Sequence, residues 1–130
     1  MKDILLEFGK ASVTASGTAV EAENVLQFLG PNQMVGMREG VNIVARTSRA
    51  ITEKQVVKIE LLDSSDDSTF KSVATFSTRV GETYKAGEAI KFNLPKQLQQ
   101  YLKAKATVTD TGTTPASMAS CDIELSIELG

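Results

Sequence analysis

The sequence predicts an all-β domain, specifically an antiparallel two-sheet jelly-roll sandwich of about eight strands. The first observation is the C-terminal segment, residues 121–129, in which polar and apolar residues alternate. Its apolar positions are Ile123, Leu125, Ile127 and Leu129, and its polar positions are Asp122, Glu124, Ser126 and Glu128. Only a strand places every second side chain on one face, so we predict one buried side and one solvent-facing side.

The second observation is that the same period recurs along the chain, in residues 57–61, 90–94 and 102–109. The third is that no segment of comparable length shows a clean helical stripe. Half-buried strands joined by turn-rich loops are typical of antiparallel sandwiches and barrels rather than of α/β folds. The length of 130 residues favours one domain spanning residues 1–130.

The N-terminal segment, residues 1–23, has two interpretations that the sequence leaves open. Apolar residues at positions 4–8 are followed by small and hydroxyl-bearing residues over positions 9–20, which offer little bulk for a core. The segment is therefore either an N-terminal arm that becomes ordered against a partner, or an edge strand followed by a loop.

The central elements follow from their turn residues. An apolar run at 25–29 ends at Gly30-Pro31, and residues 41–47 and 55–62 are predicted strands. A turn at 63–68 separates the second of these from a strand at 69–78, in which Phe70 and Phe76 are predicted core residues. Of the later segments, residues 95–101 suit a single helical turn and 110–117 a polar loop.

Composition and charge disfavour several functional classes. A net charge of −2, with the 14 Lys and Arg residues scattered singly, gives no basic face for nucleic acid. No apolar run approaches the roughly 18 residues of a membrane span, and Glu7 interrupts the N-terminal apolar run, so neither a membrane protein nor a signal peptide is expected. The single Cys121 is interpreted as a small buried hydrophobe, with a reactive or intermolecular thiol as the alternative.

The sequence predicts neither an enzyme nor a cofactor or metal site. There is no His, which removes the usual general base near neutral pH and the commonest metal ligand. Asp63, Asp66 and Asp67 are the best metal candidates, but Asp and Ser are favoured in turns and we interpret this segment as a solvated turn. With no Trp and only Tyr84 and Tyr101, the chain also lacks obvious aromatic platforms for sugars.

Several segments together resemble the small jelly-roll capsid cement, or decoration, proteins of tailed bacteriophages, of the Bordetella-phage type. They are residues 12–18, the Asn24-Val25-Leu26 and Leu29-Gly30 segments, residues 61–70, residues 92–102 leading into the strand at 103–109, a polar Thr-Gly loop, and the final alternating strand. The most specific part is the Leu-x-Ser-Ser-Asp-Asp-x-x-Phe motif at residues 62–70. One departure is Lys103, where that family often has Arg; Lys keeps the positive charge but lacks the planar guanidinium fork.

The resemblance implies a homotrimer that binds the major capsid protein on the outer surface of the virion, after synthesis in the host cytoplasm, and it brings no catalytic residues. Apolar residues near the N-terminus are candidates for the trimer or capsid interface; they are Ile4, Leu5, Leu6, Phe8, Val25 and Phe28. Two other functions compete with this one: a β-sandwich ligand-binding module for carbohydrate or within a tail fibre, and a hydrolase or isomerase on the same scaffold.

Overall fold

The computed structural model describes residues 3–14, 16–27, 41–93, 101–111 and 121–129. Within these ranges the chain forms strands and turns, without an α-helix. The strands are β1 (Asp3–Val13), β2 (Val20–Glu21), β3 (Leu26–Gln27), β4 (Val41–Thr47), β5 (Gln55–Ser64), β6 (Lys71–Ser77), β7 (Ala89–Asn93), β8 (Tyr101–Asp110) and β9 (Cys121–Leu129).

The strands build two antiparallel sheets. The first sheet has the order β1-β9-β4-β7, and in the second sheet β2 and β3 both pair with β8, which is followed by β5 and β6. This arrangement confirms the predicted all-β sandwich and is consistent with a jelly roll. The predicted strand at 41–47 coincides with β4, and the terminal alternating segment is β9.

One apolar core fills the space between the two sheets. In β8 the buried positions are Leu102, Ala104, Ala106 and Val108, as the alternation predicts. From β9 the core receives Ile123, Leu125 and Ile127, and also Cys121, which is 4% exposed. The interpretation of this cysteine as a small buried hydrophobe is therefore confirmed.

The N-terminal segment lies along the edge of the first sheet. Strand β1 pairs with β9 along its whole length, and Phe8, Ala11 and Val13 are fully buried in the core. The pairing register shifts between Glu7 and Gly9, a β-bulge that gives Phe8 and Ala11 the same inward direction although they are three residues apart. Residues Asp3–Val13 therefore form an edge strand of the first sheet.

Gly9 is required where β1 of the first sheet meets the segment between β2 and β3 of the second. Its φ of +88° is unfavourable for any other residue, and a Cβ there would lie 3.1 Å from the Cβ of Glu23. The backbone N–H of Asn24 donates to the carbonyl oxygen of Phe8 at 2.8 Å, and that of Lys10 donates to Oε1 of Glu23 at 2.9 Å. The segment that leads to β3 thus packs directly against the edge of β1.

The two predicted core phenylalanines differ in their surroundings. Phe76 is half-buried, packs against the core, and stacks on Phe92 of β7 with ring centroids 5.3 Å apart. Phe70 lies outside the core, with the Nζ of Lys103 4.5 Å from its ring centroid, so its prediction as a core residue is wrong. The reason is that β6 begins only at Lys71 and its pairing register shifts between Ala74 and Ser72, so the inward alternation of Phe76 and Ala74 does not continue to Phe70.

Replacing Phe76 by alanine is expected to destabilise the domain by about 2 kcal/mol, less than the roughly 3–5 kcal/mol typical of a fully buried phenylalanine, because part of its ring already contacts water. Lys71→Ala, in the same strand but on an exposed side chain, is the control and should change stability by less than about 0.5 kcal/mol. Urea unfolding followed by circular dichroism measures both. Equal effects of the two variants would contradict the register of β6.

Some predicted features lie outside the described residues. They are the turn at Gly30-Pro31, Phe28, most of the helical turn predicted at 95–101, and most of the loop predicted at 110–117. In the part of the chain that is described, there is no helix long and apolar enough to cross a membrane.

Candidate functional site: a carboxylate groove on the first sheet

One concave surface among the described residues lies on the face of the first sheet that points away from the core. Two adjoining cavities, of about 280 and 500 Å³, share Lys10, Arg46 and Glu124 in their walls. The charged residues that line one or both are Glu7, Lys10, Glu23, Arg46, Asp122 and Glu124. We call this surface the carboxylate groove, because four of its six charged residues are acidic.

The bulge in β1 determines which of its side chains reach the groove. Glu7 lies opposite Ser126, and Lys10 lies opposite Glu124. Without the extra residue, the period of two would have directed Lys10 to the same side as Phe8, which is in the core. The bulge at Gly9 therefore places both charged side chains on the outward face.

Arg46 and Glu128 form a largely buried ion pair beside the groove. Their side chains are 15% and 6% exposed, and the guanidinium contacts the carboxylate through both terminal nitrogens, with Nη2 3.0 Å from Oε1. The Ser126 hydroxyl donates to Oε2 of Glu128 at 2.6 Å. Arg46 is opposite Glu124 in the register and Glu128 is opposite Asn42, so the arginine side chain runs along β4 past Val44 to reach its partner.

This pair corrects the prediction of a solvent-facing side on β9. Glu124 is exposed as predicted, but Ser126 and Glu128 are buried, and Val44 on the same outward face is fully buried. A long arginine side chain that lies along a sheet covers its neighbours with its aliphatic part and satisfies a buried carboxylate with its head. Alternation in one strand cannot reveal such a contribution from the neighbouring strand.

Glu124 forms no ion pair within 4 Å among the described residues, although a cation lies directly opposite it on each side. Lys10 is directed instead to Asp122, with Nζ 3.7 Å from Oδ2, and Arg46 is directed to Glu128. Glu7 likewise has no cationic partner within that distance in the described ranges. The groove thus contains exposed carboxylates without an ion pair among the described residues, and its two cations are paired with Asp122 and Glu128.

The acidic turn after β5 has a different role. Oδ1 of Asp66 accepts hydrogen bonds from the backbone N–H groups of Ser68 and Thr69 and from the Ser64 hydroxyl, at 2.8 to 3.1 Å. These bonds, that from Ser68 first, hold the pKa of the Asp66 carboxyl well below its usual value. Asp67 adopts a φ of +59°, as Asp often does in turns. The carboxylate of Asp66 organises the backbone of the turn, and no group of acidic or cysteine side chains in the described part is suited to hold a metal ion.

The structure describes the predicted interface residues only in part. Ile4, Leu5 and Leu6 lie in β1, next to the last residues of β9, whereas Phe8 is in the core and offers no surface for a partner. Val25 is 45% exposed just before β3, and Phe28 is outside the described residues. Phe8 is therefore removed from the candidate interface of the folded chain.

Sequence reasoning missed the carboxylate groove. Its residues come from strands that are distant in sequence, and two of them, Glu7 and Lys10, lie on either side of the bulge at Gly9. The only local signal was a glycine within a charged segment, Glu7-Phe8-Gly9-Lys10, because an isolated glycine in a strand often marks a bulge.

Comparisons with known proteins give a family and a distant structural likeness. No curated protein matches the chain. One similar solved structure is that of the CBM22-1 and GH10 modules of xylanase 10B from Clostridium thermocellum, complexed with xylohexaose, with 13% identity and a TM-score of 0.40. The match covers 100% of this chain but only 28% of that one, and at this TM-score it carries no functional argument.

A sequence model of the Bbp16 family matches residues 9–123. The matched region begins at the bulge of β1 and ends within β9, so it includes strands of both sheets and most of the core. Bbp16 is the name of a Bordetella phage protein. The chain belongs to the Bbp16 family, a phage-type protein family.

Proposed function

We propose that the protein is a capsid cement protein, which binds the outer surface of a phage capsid as a homotrimer and stabilises the contacts between capsomers of the major capsid protein. The observation that carries this proposal is the match to the phage family over residues 9–123, nearly the whole chain. The resemblance of the 62–70 motif and of the order of elements to cement proteins supports the finer assignment. The role is structural, and the proposal assigns no catalytic residue.

A trimer explains how such a small domain would hold capsomers together. One chain has a mass of 13.9 kDa and offers only modest surface to each neighbour. Three copies related by a three-fold axis bind three equivalent sites at once, and linked contacts of this kind give an avidity that a single contact lacks. The two-sheet sandwich suits this role because strands on both sides of a common core form a stiff body.

The proposal predicts a particle of three times the chain mass that associates with capsids. Multi-angle light scattering of the purified protein measures the first property. Co-sedimentation with emptied, expanded capsids lacking the protein measures the second, together with the temperature at which those capsids break. We expect a trimer, saturable binding and a higher breaking temperature, and no binding to capsids of an unrelated phage. A monomer that leaves capsid stability unchanged would contradict the proposal and favour the ligand-binding alternative.

A further inference from the structure

We draw no further inference here: the strongest candidate, the edge of the second sheet formed by β6 with its exposed Val73, carries no proposal because nothing in the structure shows what covers it.

Discussion

Replacing Phe8 by alanine is expected to lower the free energy of unfolding by about 3–5 kcal/mol, the largest effect we predict for a single apolar substitution. Phe8 is the largest of the fully buried side chains in the core and comes from an edge strand. Its removal takes apolar surface out of the core and leaves a cavity that the surrounding strands fill only in part. Domains of this size are typically stable by about 5–15 kcal/mol, so the loss is a large fraction of the total.

Urea unfolding measures this loss, and Glu7→Ala is the matched control in the same strand. The Glu7 side chain is exposed, so its removal should change stability by less than about 0.5 kcal/mol. Deletion of residues 1–13 should go further and abolish the β-sheet signal in circular dichroism, because β9 would lose one of its two partner strands and the core would lose Phe8, Ala11 and Val13. A truncated chain with parental circular dichroism would show that this segment is a dispensable arm.

Replacing Arg46 by methionine is expected to cost about 3 kcal/mol, because it leaves the carboxylate of Glu128 buried without its cation. Removal of one partner from a buried pair typically costs roughly 3–5 kcal/mol, and the 15% exposure of Arg46 places this case at the lower end. Arg79→Met, at an exposed position in the turn after β6, should have little effect.

A double variant, Arg46→Met/Glu128→Met, distinguishes the free-energy cost of burying a lone charge from the cost of lost packing. Replacing both partners by apolar residues removes the charge to be desolvated, so the double variant should be more stable than Arg46→Met alone. Thermal melts of the parent, both single variants and the double variant complete the cycle. If the double variant loses as much as the sum of the single variants, the pair does not act as a coupled unit.

The sequence by itself determined the fold class and most strand positions. Alternation in β8 and β9 identified the inward residues Leu102, Ala104, Ile123 and Leu125 correctly, because a strand with one face in the core must repeat every two residues. It also determined the buried state of Cys121. These properties depend on single segments, so the chain reveals them locally.

The tertiary structure alone decided the status of the N-terminal segment and the position of the carboxylate groove. The bulge at Gly9 breaks the period of β1, so that Phe8 and Ala11 both face inward. The sequence of β1 therefore lacks the strict alternation that identifies a strand. The groove depends on β1, β9 and β4 lying side by side. It also depends on the ion pairs of Lys10 with Asp122 and of Arg46 with Glu128, which form although both cations lie opposite Glu124. These ion pairs form only when strands that are distant in sequence come together, because the position of each charged side chain depends on the residues of the neighbouring strand.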